Sequence, residues 1–158
     1  MSSTDVARLG LLLSRLERLN DAFVTEVCKR HGVSPSELRV LAMLRHGAEG
    51  RPVSPSTIGR WVVQTSGGLT ATLRRLADDG RIDRIDDPDD GRGRPVVLTE
   101  TGADFYDRLF ADLVDRYHLV LDGIDLEATE RTVRELIGAY ERLANLAPSA
   151  GWDIAIAS

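Results

Sequence analysis

Apolar residues recur every three or four positions near both ends of the chain, which is the spacing of a helix with one apolar face. At the start this spacing runs for more than five turns, to about His31-Gly32, and predicts one long amphipathic helix. Two more long helices are predicted later, beginning near Thr99 and Asp125 and separated by Gly123. The apolar positions of the three helices are Val6, Leu9, Leu12, Leu13, Leu16, Leu19, Phe23 and Val27; Phe105, Leu109, Phe110, Leu113, Val114, Tyr117 and Leu121; and Leu126, Val133, Leu136, Ile137, Tyr140, Leu143 and Ala144.

Two shorter helices between these have clear start signals. Ser34-Pro35 and Ser54-Pro55 each place a capping hydroxyl before a proline at the first helical position, and Glu37 can close a capping box with Ser34. Their expected buried positions are Leu38, Leu41, Ala42 and Leu44 in the first and Ile58, Trp61 and Val62 in the second. A turn at Val63-Gln64 then leads to a third short helix.

The third short helix, from Thr65 or Ser66 to Gly80, is predicted to have two contrasting faces. One face carries Leu69, Leu73 and Leu76, and Gly80 can supply the left-handed residue that ends the helix. The opposite face is small and basic, with Thr70 on its flank, and consists of Gly67, Ala71, Arg74 and Arg75. Two short helices joined by a tight turn, the second with a polar outward face, form a helix-turn-helix.

A β-hairpin is predicted after this helix. Arg81 to Asp86 and Val96 to Leu98 read as two short strands, and the ten residues from Asp86 to Pro95 are rich in turn formers. The predicted fold is therefore mainly α with a small β-hairpin wing: a winged helix-turn-helix with N- and C-terminal dimerisation helices.

The last two long helices carry more apolar surface than one compact winged domain could cover. Packing within the chain is one explanation, and we favour a homodimer interface because the three helices lie at the chain ends. The predicted organisation is an N-terminal dimerisation helix at 1–32, a DNA-binding lobe at 33–99, C-terminal dimerisation helices at 100–147 and a tail at 148–158.

Composition narrows the class of protein. A chain of 158 residues with 42% apolar and 28% charged residues suits a globular protein. The net charge of −5 disfavours a polyanionic partner, but residues 51–98 carry +1 and the rest −6. The charge distribution thus permits nucleic-acid binding. With no secretory signal and no apolar stretch near the ~20 residues of a membrane span, we expect a cytoplasmic protein.

Signals for catalysis or cofactor binding are poor. The three histidines lie on separate predicted elements without metal-ligand spacing, and no nucleophile elbow or phosphate loop is present. The acidic run Asp86 to Asp90 is better explained as turn chemistry than as a metal site. Cys28 is the single cysteine, and we expect a buried apolar residue rather than a peroxide-sensing thiol. We expect no enzyme activity, no cofactor and no metal.

DNA binding has better support, because a helix laid in the major groove reads base edges with its outward residues. Gly67 and Gly68 would let the first turn approach a phosphate, and Arg92 and Arg94 could enter the minor groove, with Asp90 orienting one of them. The plainer alternatives are a solvated helix face and a flexible surface hairpin. The candidate DNA contacts are Thr65, Ser66, Gly67, Gly68, Thr70, Ala71, Arg74 and Arg75 on the helix and Asp90, Arg92 and Arg94 on the wing.

In the hairpin and in the third short helix the chain resembles a known family. Asp87-Pro88-Asp89-Asp90-Gly91-Arg92-Gly93 and Val97-Leu98-Thr99-Glu100-Thr101-Gly102 closely resemble the MarR family of bacterial transcriptional regulators. Thr65-Ser66-Gly67-Gly68-Leu69-Thr70 is similar to the recognition helices of one subgroup. That subgroup commonly has Asn-Arg next, where this chain has Ala71-Thr72, so the operator cannot be carried over.

The resemblance, specific over Ser34 to Gly102, implies a homodimeric winged helix-turn-helix. It would bind a pseudo-palindromic operator in double-stranded DNA, with recognition helices in major grooves and wings in minor grooves. It also implies that a small aromatic or phenolic effector binds between the dimerisation helices and the DNA-binding lobe.

The leading hypothesis is therefore a dimeric DNA-binding transcriptional regulator, a repressor released by a small ligand, with Trp61, Tyr106 and Phe110 as candidate pocket residues. The alternative is a winged-helix protein-interaction or dimerisation module that does not bind DNA, which the acidic balance allows. A small enzyme with an appended winged helix is a third and weaker hypothesis.

Overall fold

The computed structural model describes residues 2–48, 50–62, 66–85 and 94–144, without the side chains of Ser66 and Ala144. The order of helices and strands is α1 (Ser3–Arg30), α2 (Pro35–Ala42) continued by a π turn (Met43–Gly47), α3 (Pro55–Val62), α4 (Ser66–Asp78), β1 (Ile82–Arg84), β2 (Val96–Leu98), α5 (Glu100–Val120) and α6 (Leu126–Ala144). The predicted mainly α fold with a β-hairpin is confirmed.

Local sequence signals set most helix ends. Ser34 caps α2, because its hydroxyl accepts a hydrogen bond from the Glu37 backbone N–H at 3.2 Å while Glu37 Oε2 accepts one from the Ser34 N–H at 2.6 Å. Thr99 caps α5 by accepting from the Gly102 N–H at 2.9 Å. Gly80, two residues after the end of α4, has a φ of 67°, and this left-handed backbone conformation turns the chain away from the helix.

The hairpin is antiparallel and short. Ile82 pairs with Leu98 and Arg84 with Val96. Val53, just before α3, forms a further bridge to Val96, with N–H to carbonyl oxygen distances of 2.8 Å in both directions. The base of the wing is thereby attached to the start of the helix-turn-helix.

The core lies in the middle of the chain. Buried side chains of α2, the π turn, α3, α4 and the hairpin pack with Tyr106 and Leu109 of α5. In α1 only Val27 and Cys28 are buried. Large apolar side chains are left exposed along α1, at the end of α5, in the turn that follows it and along α6: Val6, Leu9, Leu11, Leu12, Leu16, Leu19, Leu119, Val120, Ile124, Leu126, Val133, Ile137, Tyr140 and Leu143.

Candidate nucleic-acid interface

Helix α4 has the two faces that its sequence predicts. Leu69, Leu73 and Leu76 are at most 6% exposed and pack into the core. α3 packs close to the first turn of α4, since a Cβ added at Gly59 would lie 3.2 Å from Leu69 Cδ2. The helix-turn-helix therefore has its apolar faces pressed together and the opposite side of α4 turned outward.

The outward side of α4 carries small residues at its start and a guanidinium one to two turns later. Gly67, Gly68, Thr70 and Arg74 are exposed, and Ala71 is half-buried. Ser66 begins the helix. A backbone bare of side chains at a helix N-terminus suits close approach to a phosphate. Thr65 lies outside the described residues.

Thr72 differs from its neighbours, because only 2% of its surface is exposed. It follows Ala71 at one of the two positions where the resembling subgroup commonly has Asn-Arg. In this chain Thr72 belongs to the packed face of α4, so its side chain is not on the outward surface.

The two adjacent arginines of α4 have different surroundings. Arg74 is exposed on the outward side. Arg75 donates a hydrogen bond from Nε to Oε1 of Glu37 on α2 at 3.0 Å, and Glu37 is 5% exposed. Burial by itself raises the pKa of Glu37, but hydrogen bonds from Ser34 and Arg75 outweigh burial and leave this pKa below its ordinary value. Sequence reasoning grouped the two arginines and missed this ion pair.

Of the hairpin wing, the structure describes the base, residues 81–85 and 94–98. Arg94 is exposed, and the next residue, Pro95, accepts a hydrogen bond from the Ile85 N–H at 2.9 Å. Asp90 and Arg92 lie outside the described residues, as does the tail at 148–158. Arg94 thus lies on the same hairpin that is joined to α3 through Val53.

A cavity of about 240 Å³ lies between α1, α2 and α5. Two of the three predicted pocket residues, Tyr106 and Phe110, line it, whereas Trp61 instead packs against Gly47. The full lining is Asn20, Asp21, Val24, Pro35, Leu38, Arg39, Ala42, Tyr106, Phe110, Leu113 and Tyr117.

The cavity is lined by aromatic rings and by one pair of opposite charges, Arg39 and Asp21. The Tyr106 and Phe110 rings stack with centroids 5.5 Å apart, and Tyr117 donates from its hydroxyl to Asn20 Oδ1 at 2.8 Å. Arg39 supplies the guanidinium, and its NH2 group lies 3.5 Å from Asp21 Oδ1. Sequence reasoning missed Arg39, although its spacing places it on the same stripe of α2 as Pro35, Leu38 and Ala42.

The Tyr106 hydroxyl points away from solvent toward the π turn. It lies 3.1 Å from Nε2 of His46, and burial raises the pKa of Tyr106 to about 12. Next to it, Arg45 donates two hydrogen bonds of 3.0 Å each to the Asp107 carboxylate. The π turn is thus attached to α5 at two adjacent residues.

Three further questions raised by the sequence concern Cys28, metal binding and membrane spans. Cys28 is fully buried, and burial raises the pKa of its thiol, as expected for an apolar packing role. Where the structure is described, no cluster of His, Cys, Asp and Glu could hold a metal ion, and no helix is both long and apolar enough to cross a membrane.

The fold and this interface define a winged helix-turn-helix protein. The model of the MarR family matches residues 31–93. The HTH-type transcriptional regulator PecS of Dickeya dadantii is 29% identical over 131 residues, covering 82% of this chain and 78% of PecS.

One further protein is similar in sequence, and one solved structure is similar in fold. The multiple antibiotic resistance protein MarR of Escherichia coli is 27% identical over 99 residues, covering 63% of this chain and 67% of that protein. Staphylococcus aureus MarR, solved in complex with salicylate and kanamycin, superposes with a TM-score of 0.77 at 16% identity, over 92% of this chain and 96% of that one. The chain is thus similar to MarR-family transcriptional regulators in sequence, and its fold is that of solved MarR-family proteins.

Proposed function

We propose that this protein is a homodimeric transcriptional regulator that binds a pseudo-palindromic site in double-stranded DNA. The observation that carries this proposal is the outward side of α4, where Gly67, Gly68, Thr70 and Arg74 are exposed opposite a row of buried leucines. A helix with this arrangement can enter a major groove while its scaffold stays packed. Arg94 lies on the adjacent hairpin, and its guanidinium suits a flanking minor groove.

The proposed dimer uses the exposed apolar faces of the long helices. Leu12 and Leu16 in α1 are 55% and 61% exposed, and Ile137 and Tyr140 in α6 are 49% and 60% exposed. Large apolar side chains exposed at helical spacing in this way are uncommon on a monomer and mark an interaction surface. A second copy would cover it and would also set the spacing of two α4 helices to the two half-sites of an operator.

The proposed regulation is release of DNA by a small ligand in the cavity between α1, α2 and α5. The cavity touches long helices of the dimer part and a helix of the DNA-binding lobe. A ligand that fits one arrangement of these helices better than another would shift the population toward it. Stacked aromatic rings and Arg39 favour a planar aromatic acid, and the salicylate complex of Staphylococcus aureus MarR supports this class of ligand. The protein would then act as a repressor.

The test is a mobility-shift assay with the DNA upstream of the protein's own gene and with DNA selected from a random pool, at two salt concentrations. We expect a shift that survives competitor DNA and weakens with added salt, because phosphate contacts release counterions. Salicylate, used as the probe, should release the DNA from wild type and should do so less from Arg39→Gln.

Failure to enrich any sequence from the random pool, with a folded dimer confirmed, would overturn the DNA-binding proposal. The protein-interaction alternative, which the net charge of −5 permits, would then become the better explanation.

A further inference from the structure

Helix α4 presents two adjacent arginines, but only Arg74 lies on its outward side. At about 100° per residue, Arg75 is turned toward the flank that also carries the buried Thr72. Its Nε donates to Glu37 Oε1 at 3.0 Å, across 38 residues of sequence. The side chain of Glu37 is 7% exposed and that of Arg75 is 54% exposed. The pair therefore joins the flank of α4 to the first turn of α2.

The position of Glu37 is determined independently of Arg75. Its other oxygen, Oε2, accepts hydrogen bonds from the Ser34 N–H at 2.6 Å and from the Ser34 hydroxyl at 2.7 Å. Both oxygens are thus engaged, and the carboxylate is held as the capping residue of α2. A buried carboxylate that loses its cation is strongly unfavourable, so Glu37 favours the arrangement in which Arg75 stays beside it.

The surroundings of Arg75 are unfavourable for a phosphate. Arg75 lines an open groove of about 820 Å³ between the end of α1, the start of α2 and the end of α4. Glu37, Asp78 and Asp79 line the same groove, against the cations Lys29 and Arg75. A DNA backbone that approached Arg75 here would meet Asp78, as well as Glu37, which is already paired with Arg75, and Asp79, which is paired with Arg81.

We infer that Arg75 is a positioning residue, which holds α4 at a defined angle to α2 through Glu37, and that the guanidinium offered to DNA by this helix is that of Arg74. The inference rests on the proposed function of DNA binding. Loss of the Glu37–Arg75 pair would let α4 tilt, which would weaken specific contacts in the major groove more than non-specific attraction to phosphates.

The experiment compares four variants in operator affinity as a function of salt: Arg75→Gln, Glu37→Gln, the double variant and Arg74→Gln. The amide that Glu37→Gln introduces retains an oxygen for the Ser34 N–H, so the helix cap is preserved. We expect Arg75→Gln and Glu37→Gln each to weaken operator binding by about fivefold to tenfold. The salt slope, which is the slope of the logarithm of the binding constant against the logarithm of the salt concentration, should be unchanged. The double variant should be no weaker than the worse single variant. Arg74→Gln should reduce the salt slope by about 1.

Rescue by a conservative change separates positioning from general damage. Arg75→Lys keeps a cation near Glu37 and should recover part of the lost affinity in the presence of Glu37 but none in the Glu37→Gln background. Urea unfolding without DNA provides a second readout, in which the effects of the changes at positions 37 and 75 should be non-additive.

The inference is overturned if Arg75→Gln lowers the salt slope by about 1 while Glu37→Gln leaves operator binding unchanged or stronger, because Arg75 would then contact DNA directly. The inference would also be overturned if the changes at positions 37 and 75 had additive effects on the free energy of unfolding in urea. Wild-type protein that binds no selected DNA instead overturns the proposed function, and non-additivity in urea would then show a pair that serves stability alone.

Discussion

At the scale of single residues, Glu37 shows how a local signal acquires a long-range role. Its sequence context, three residues after Ser34, marks it as part of a capping box. In the folded protein the same carboxylate also receives Arg75 from α4. One buried anion therefore stabilises the start of α2 and the contact between α2 and α4.

This carboxylate makes the stability of the protein depend on pH in a defined direction. The pKa of Glu37 is below its ordinary value of 4.5 in the folded state, so its contribution to stability is fully present above about pH 4.5 and is lost as pH falls through the folded pKa. We expect Glu37→Gln to be less stable than wild type at pH 7, with a difference that shrinks on acidification, measured by urea unfolding between pH 7 and pH 3.

Glu135→Gln is the matched control, because Glu135 is exposed on the side of α6 away from its apolar face. Its stability should follow that of wild type across this range. A difference between wild type and Glu37→Gln that stays constant down to pH 3 would contradict the assigned role of the Glu37 carboxylate.

At the scale of elements, the junction between the hairpin and α5 depends on one residue without a side chain. Thr99 caps α5 and donates from its hydroxyl to the Gly80 carbonyl oxygen at 2.8 Å, which brings the first turn of α5 against the start of β1. A Cβ at Gly102 would overlap the carbonyl oxygen of Arg81. The hairpin and α5 can approach this closely only because position 102 is glycine.

Gly102→Ala is therefore expected to destabilise the protein by about 2 kcal/mol or more, because backbone atoms would have to move. Urea unfolding at matched protein concentration measures this loss. Gly10→Ala is the control, since no atom lies within 4 Å of its added Cβ, and helix propensity predicts a gain of roughly 0.5–1 kcal/mol. Equal behaviour of the two variants would show that the junction relaxes without cost.

At the scale of the whole molecule, the lobe that carries α4 has a packed core, whereas the long helices leave apolar faces uncovered. Val133, Ile137, Tyr140 and Leu143 of α6 are all at least 43% exposed. The proposed homodimer explains this contrast, because a second copy would complete the core that one chain begins.

Ile137→Asp should convert the dimer to a monomer and abolish operator binding at the same protein concentration. Sedimentation equilibrium would show the mass falling from about twice 17.3 kDa toward 17.3 kDa. Arg131→Asp, which changes an exposed residue on the opposite side of α6, should remain dimeric and bind the operator. A wild-type protein that is monomeric at micromolar concentration would remove the basis of this prediction.

Sequence alone determined the features that depend on neighbouring residues. Ser34, Ser54 and Thr99 mark helix starts, and the spacing of Leu69, Leu73 and Leu76 identifies the packed face of α4, because capping and helical periodicity act within a few residues. The winged fold followed from the order of these elements. The residues resembling the MarR family were also recognisable in the sequence, and this resemblance is confirmed by the family model and by the relatives.

Only the tertiary structure decided which side chains meet across the fold. Arg75 turns to Glu37 rather than outward, Thr72 is buried beside its exposed neighbours, and Arg39 lies in the cavity that Trp61 does not reach. Each of these outcomes depends on the angle at which separate helices pack. That angle is set by the volumes and shapes of many core side chains together, and no periodicity within one helix specifies it.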